Sequence, residues 1–184
     1  MVNISGIILE TERLILREFN ISDLEDFYEY SKVEGVGEAA GWPHHKNVEE
    51  SKEILLDFVN SKNVFAIYNK KDMKVIGSVG LHSDYNKDIF SDYINLKVVE
   101  IGYVLSKYYW LNGFMTEALN ILIKYIFNEL KYDIIVAGYF EGNCASERTQ
   151  KKLGFKDYKK SVYYSKLLDT NFTITNTIIF KNSK

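Results

Sequence analysis

Three short stretches of the chain carry residue types that could do chemistry. Ser106–Met115 joins an extended run to an apolar helical run, with Gly113 at the turn and Thr116 and Glu117 in the first helical turn. That turn has N–H groups without partners and the positive end of the helix dipole. A strand, a loop with a small residue at its turn and a helix start together suit a phosphate group. The loop has no Gly-Lys-Ser/Thr to make it a P-loop, and no Gly-x-Gly-x-x-Gly dinucleotide pattern occurs. Gly113 would equally serve a tight turn that binds nothing. The second stretch, Asn143–Ser146, holds the single cysteine, Cys144. No neighbouring His and no third orienting group accompany it, so a cysteine nucleophile is not expected. The third is His44-His45. With three His, one Cys and no ligand spacing in the chain, no metal site is expected. These residues and Trp42 either line the mouth of a site or pack a loop.

The elements that must hold these stretches follow from periodicity. The chain has 184 residues, which fits one domain at roughly 150 residues each. No repeat, low-complexity tract or Gly/Ser/Pro linker divides it. Residues 7–18 read as one strand, with Leu14 and Leu16 facing one way and Arg13, Ile15 and Arg17 the other. Ser22-Asp23-Leu24-Glu25 reads as a capping box opening a helix through Tyr30. A loop over Glu34–Lys46 precedes a helix that starts at Asn47 and turns Val48, Ser51, Leu55, Phe58 and Val59 inward. Val64–Tyr68 and Val75–Leu81 are strands around the turn cluster Asn69-Lys70-Lys71-Asp72. Residues 84–95 read as a polar loop, and Val98–Leu105 as a further strand. From Met115 to Leu130 the polar residues Glu117, Asn120, Lys124 and Asn128 form one narrow stripe, so this helix should be mostly buried. Ile134–Phe140 is the next strand, which makes a βαβ unit with a right-handed crossover and parallel strands. A short helix near Ala145–Leu153 ends at Gly154, and extended segments near Phe155–Tyr164 and Phe172–Phe180 close the chain. The expected class is α+β, with a mixed, mostly antiparallel sheet and one parallel crossover.

Composition excludes several classes. The net charge is −2, with 23 Lys+Arg against 25 Asp+Glu, which argues against a dedicated nucleic-acid binder. One proline and an aromatic fraction of 15% argue against disorder. A chain this size can bury about 70% of its unfolded surface without staples. The lone cysteine and the lack of a signal-like start point to the cytoplasm. The most apolar long stretch, residues 114–127, is interrupted by Glu117, Asn120 and Lys124, so no membrane span is expected.

Glu100-Ile-Gly-Tyr-Val-Leu-Ser-Lys-Tyr-Tyr-Trp-Leu-Asn-Gly-Phe-Met-Thr-Glu-Ala-Leu resembles the acetyl-CoA-binding segment of the GCN5-related N-acetyltransferases. It is most similar to the branch that includes the ribosomal-protein N-terminal-alanine acetyltransferases. Glu12-Arg-Leu-Ile-Leu-Arg-Glu-Phe resembles that branch's first strand, and Gly41-Trp-Pro-His with Glu49-Glu50-Ser51 resembles its second-helix region. Asn143-Cys-Ala-Ser-Glu-Arg-Thr-Gln-Lys-Lys-Leu-Gly-Phe resembles the family's second cofactor motif. The match runs in order over roughly residues 8–160, within a single domain expected to span residues 1–184.

The resemblance implies a direct N-acetyltransferase with acetyl-CoA as cosubstrate and no metal. It implies that the pantetheine arm lies along Tyr103, Val104 and Leu105. The pyrophosphate would sit on backbone N–H groups of Leu111, Asn112, Gly113, Phe114, Met115 and Thr116. Trp110 stands where the family usually opens this loop with Gln or Arg, and Met115 where a small residue is usual. An amine must be neutral to attack a thioester, so a carboxylate base is needed. The resemblance places Glu100 in that role, ahead of Glu10, Glu12, Glu18 and Asp84. A backbone N–H near Val104 would support the carbonyl oxygen as charge develops on it. Many members meet the leaving thiolate with a Tyr where this chain has Gln150. The resembling branch has a Ser that matches Ser146, and Asn143 is the implied pantetheine contact. The acceptor is expected to be an amine, with a protein N-terminus ahead of a small molecule such as an aminoglycoside or polyamine. No direct nucleic-acid or membrane partner is expected, and the chain is read as a monomer or homodimer. A non-catalytic acetyl-CoA-binding module is the alternative from another class.

Overall fold

The computed structural model describes residues 2–181. Eight strands form one sheet: β1 (Leu9–Glu10), β2 (Leu14–Glu18), β3 (Val64–Asn69), β4 (Lys74–His82), β5 (Val98–Leu105), β6 (Ile134–Phe140), β7 (Lys156–Ser165) and β8 (Thr170–Phe180). Their spatial order is β1-β2-β3-β4-β5-β6-β8-β7. Every neighbouring pair is antiparallel except β5 with β6. Four α-helices flank the sheet: α1 (Leu24–Ser31), α2 (Val48–Ser61), α3 (Phe114–Asn128) and α4 (Cys144–Lys152). The α+β class and the single parallel pair agree with the sequence reading.

The sheet is covered on both faces because its strands alternate. On β3, Phe65 and Ile67 join the cluster under α3, while Val64 and Ala66 join the one under α1 and α2. The stripe on α3 behaves as its spacing requires. Asn120, Lys124 and Asn128 are exposed, and Leu119, Leu122 and Ile126 are fully buried. Each such side chain contributes about 1.5–3 kcal/mol relative to exposure. That anchors α3 behind β5 and fixes where its N-terminus points.

Three expectations are corrected. Residues 7–18 are not one strand: the chain turns at Thr11–Arg13, and β1 folds back on β2. Thr11 closes that turn, its Oγ1 accepting from Leu14 N–H at 2.9 Å. The capping box sits two residues earlier than expected. Asp23 Oδ2 accepts from Asn20 N–H at 2.8 Å, because the Arg17 guanidinium grips the same carboxylate through two 2.8 Å bonds. Residues 84–95 form a loop as expected, but it is not wholly polar. Tyr85 and Phe90 are buried in a third cluster with Val98, Ile134, Val136 and Ile178. In the closing hairpin β8 lies between β6 and β7, so β7 forms the edge of the sheet.

The β4–β5 contact is close at one point. A Cβ on Gly77 would lie 2.4 Å from the Val104 carbonyl oxygen and 3.1 Å from Leu105 Cα. Gly77→Ala must therefore push β5 away from β4. Overpacking of this kind costs about 1–3 kcal/mol. The melting temperature should fall by roughly 2–4 °C per kcal/mol in a chain of this length. Thermal denaturation followed by circular dichroism measures this.

Candidate active site

The strands β5 and β6 pair only at their starts, through Val98↔Ile134, Val99↔Ile135 and Glu100↔Val136. Beyond Glu100 they separate. β5 continues against β4 as far as Leu105, and β6 continues against β8 as far as Phe140. The opening holds a cavity of about 640 Å³. Glu100 stands where the strands part. Tyr103, Val104, Leu105, Leu111, Gly113, Phe114, Met115, Thr116, Asn143 and Ser146 also line the cavity. Asn112 is the one expected site residue that does not. Its carbonyl accepts from Arg13 Nη1 at 3.1 Å.

Alternation decides which backbone groups of β5 face the opening. Ser106 N–H donates to the Ile76 carbonyl of the β4 side at 2.8 Å. The groups of Val104, two residues back, therefore also point to β4, opposite Ser78. Those of Tyr103 and Leu105 point the other way, into the opening. The Leu105 carbonyl is occupied there by Trp110 Nε1, which donates to it at 2.7 Å. The free groups are the Tyr103 N–H and C=O and the Leu105 N–H.

The loop before α3 is held in an unusual shape. Gly113 has φ 78° and Leu111 has φ 62°, the left-handed region. For Leu this costs about 1–2 kcal/mol, and its side chain is 89% exposed, so packing does not repay it. Such strain at a loop is typical of a binding site. The first helical N–H with a chain acceptor is that of Glu117, which donates to the Gly113 carbonyl at 3.0 Å. The N–H groups of Phe114, Met115 and Thr116 are the open start of the helix. Met115 is 7% exposed; its side chain packs into the core and leaves this backbone clear.

Glu117 would oppose an anion at this helix start, but it is neutralised. Its carboxylate accepts from Arg13 Nε at 2.6 Å, Arg13 N–H at 3.0 Å and Thr11 Oγ1 at 2.5 Å. Burial pushes the Glu117 carboxyl up, and the bonds from Thr11 and Arg13 outweigh it and hold it below the usual range. The Arg13 guanidinium also lies over the Phe114 ring at 4.1 Å. Nothing in the sequence signalled this clamp, whose partners are 104 residues apart.

At the far side, Glu100 is raised above the ordinary carboxylate value by burial and then by the nearby Asp84 charge. His82 sits opposite Glu100 in the β4–β5 register and lines the same cavity. Burial lowers its pKa, against the pull of Asp84. Sequence reading passed over it, although its place in the register could have been counted from the hairpin. Asp84 lines the cavity; Glu10, Glu12 and Glu18 do not. Asn143 caps α4 by accepting from Ser146 N–H at 3.1 Å, and its Nδ2 donates to the Ala39 carbonyl at 3.1 Å. That leaves the Ser146 hydroxyl free of capping, and it meets Tyr103 OH at 2.8 Å. Cys144 is exposed and does not line the cavity. The two histidines pack their loop: His44 Nδ1 meets Glu38 Oε1 at 2.8 Å, and buried His45 meets Ser51 Oγ at 2.6 Å. Among the described residues there is no group of three or more His, Cys, Asp or Glu fit for a metal, and no helix is long and apolar enough to cross a membrane.

A splayed parallel pair, a helix start at its mouth and a half-buried carboxylate at its base define an acetyltransferase fold of the GCN5-related type. Residues 13–156 match the family model "Acetyltransferase (GNAT) domain", so the chain belongs to that family and is an N-acetyltransferase. It is 29% identical over 154 residues to "Uncharacterized N-acetyltransferase YoaA" of Bacillus subtilis, covering 81% of this chain and 82% of that one. A GNAT-family acetyltransferase structure from Bacillus anthracis aligns over 95% of this chain and 99% of its own, with TM-score 0.81 and 20% identity. The ribosomal-protein-S5-alanine acetyltransferase of Vibrio fischeri aligns over 97% and 100%, with TM-score 0.72 and 21% identity. The spermidine N-acetyltransferase of Vibrio cholerae, solved with CoA and spermine, aligns over 94% and 98%, with TM-score 0.74 and 16% identity.

The clamp gives a prediction that needs no ligand. A carboxylate held below its usual pKa contributes stability above its unfolded value, lost as pH falls through the folded one. Arg13→Met should therefore melt several degrees below wild type at pH 7. The gap should narrow below about pH 4, where Glu117 takes up a proton. Melting curves at the two pH values test this; a gap independent of pH would mean that Arg13 acts through packing alone.

Proposed function

We propose that this enzyme moves the acetyl group of acetyl-CoA directly onto a primary amine, with a protein N-terminal α-amine as the favoured acceptor. The opening between β5 and β6 carries the reading. One cavity brings together a carboxylate of raised pKa, free backbone groups, a helix start and a hydroxyl.

In this reading the pantetheine arm runs along β5 from the loop toward Glu100, against the Leu105 N–H and the Tyr103 C=O. The pyrophosphate meets the backbone of Leu111 to Thr116, where the helix dipole favours negative charge. Asn143 contributes less than its motif suggests, because its amide already holds Ser146 N–H and the Ala39 carbonyl. Glu100 takes the proton of the incoming ammonium, directly or through one water. An α-amine, with a pKa near 7.7–8.0, is roughly one-tenth neutral at pH 7; a Lys amine near 10.4 is far less so. The Tyr103 N–H, which faces the opening nearer Glu100, supports the carbonyl oxygen as it gains charge. Ser146 donates to the departing thiolate. The carboxylates Asp84 and Glu100 on the acceptor side suit a cation, and Ala39, Ala40 and Phe140 give it an apolar rim.

CoA-thiol release with acetyl-CoA and a panel of amines tests the proposal. Peptides with free N-termini should turn over, and N-terminally blocked copies should not. Turnover on polyamines or aminoglycosides with none on peptides would transfer the acceptor to the small-molecule class. Binding of acetyl-CoA without turnover on any amine would leave a non-catalytic module. Glu100→Gln should cost about 10²-fold or more in kcat while leaving acetyl-CoA affinity unchanged. The rising limb of the wild-type pH profile that belongs to Glu100 should lie above the ordinary carboxylate range. A larger loss in His82→Ala than in Glu100→Gln would move the base to His82. Gly113→Pro should abolish acetyl-CoA binding, since proline fixes φ near −65° where the loop needs 78° and removes an N–H.

A further inference from the structure

Beneath the cavity floor lies a buried carboxamide that the reaction above does not use. Gln150 is fully buried on the inner side of α4 and does not itself line the cavity. Its orientation is forced. Thr177 Oγ1 donates to its Oε1 at 2.6 Å. On the other side, Nε2 faces the Gly138 carbonyl at 3.0 Å, an atom that can only accept. A flipped amide would set oxygen against oxygen there. Nε2 therefore also points its remaining hydrogen at two hydroxyls, Ser146 Oγ and Tyr103 OH, each at 3.1 Å.

Counting hydrogens fixes the rest. The two hydroxyls are 2.8 Å apart and share one proton between them. Gln150 gives to this pair and takes nothing from it. Of the two hydroxyl protons, one lies between the oxygens; the further acceptor within reach of the pair is the Ser146 carbonyl, 3.5 Å from Tyr103 OH and beyond ordinary geometry, so the phenol's better acceptor is Ser146 Oγ. The phenol is the stronger acid and hence the donor of the pair, so the outward proton belongs to Ser146. Both Tyr103 and Ser146 line the cavity, so the cavity is the space open to that proton.

We propose that Gln150, held by Thr177, is a positioning residue that polarises the Tyr103–Ser146 hydroxyl pair and aims the Ser146 proton at the leaving thiolate. The inference rests on the acetyl-transfer reading. No bond to Gln150 forms or breaks: it supplies a hydrogen bond, Ser146 supplies the next, and the thiolate is stabilised as the C–S bond opens. With an acceptor or an apolar group at this position, the pair is free to turn inward. Ser146 can then donate to Tyr103 or to the exposed Gly138 carbonyl.

The test is a double-mutant cycle on kcat, with Gln150→Met as a volume-conserving variant without donors. Removing one transition-state donor outright costs about 10²–10³-fold. Gln150→Met should lose about tenfold or more in kcat, with the acetyl-CoA KM unchanged. In a Ser146→Ala background the same substitution should cost nothing further, because Gln150 acts through Ser146. Equal losses in both backgrounds would make Gln150 a packing residue and overturn the proposal, as would wild-type kcat in the single variant. Thr177→Val, nearly isosteric and one bond further out, should lower kcat in the same direction. It also keeps the test open if Gln150→Met does not fold by circular dichroism. A wild type that releases no CoA with any amine defeats the acetyl-transfer reading instead, which separates the two failures.

Discussion

Two neighbouring strands that stop pairing partway along their length create everything the site uses. β5 is held by β4 from Glu100 to Leu105, and β6 throughout by β8, but they hold each other only as far as Glu100 and Val136. Backbone groups withdrawn from a ladder must find another partner or meet water. Here they line an opening, so an extended, amide-bearing ligand can complete the sheet locally. The same parting sets a carboxylate at the closed end, where burial raises its pKa. At the wide end it sets the start of α3, whose packed face leaves its first N–H groups nothing in the chain to bind. Recognition is therefore assigned largely to the main chain, which fits a molecule whose net charge is only −2.

What the sequence revealed was what local pattern controls. The stripe Glu117, Asn120, Lys124, Asn128 set the orientation of α3, and the turn at Gly113 set its start. Glu100 and Ser146 were found through motif resemblance, and both reach the same cavity. Less visible were pairings between distant segments. The Arg13 clamp on Glu117 joins a turn near one end of the chain to a helix 104 residues away. Residues 7–18 looked like one strand because Leu14 and Leu16 keep the alternation, while the reversal at Thr11 depends on a side-chain bond that has no periodicity. Asn143 was read as a ligand contact because its motif suggests it. Its amide also serves helix and loop, a use that only the folded position of Ala39 reveals.

Gln150 shows a different kind of illegibility. From the sequence it is only a departure from a common tyrosine. In the fold, a tyrosine hydroxyl arrives at the same place from β5 instead, and Gln150 joins it to Ser146. One substitution along a helix is read correctly only beside the strand it faces. Buried polar clusters of this kind are high in cost when partly satisfied and specific when complete, and here each member has a partner while one hydroxyl proton is left to the cavity.

The rim over the cavity is fastened in a way that bears on how such enzymes diversify. The 3-10 turn Glu38–Ala40 and the residue after it are tied down through main-chain oxygens, with Asn143 Nδ2 on the Ala39 carbonyl and Ser165 Oγ on the Gly41 carbonyl at 2.7 Å. The attachment points are backbone atoms that every residue type possesses. Side chains at Ala39 and Ala40 can thus be exchanged without unfastening the segment. The anchors Asn143 and Ser165 belong to other elements and stay in place. Acceptor preference in this architecture can drift one residue at a time while the transfer machinery behind it stands still.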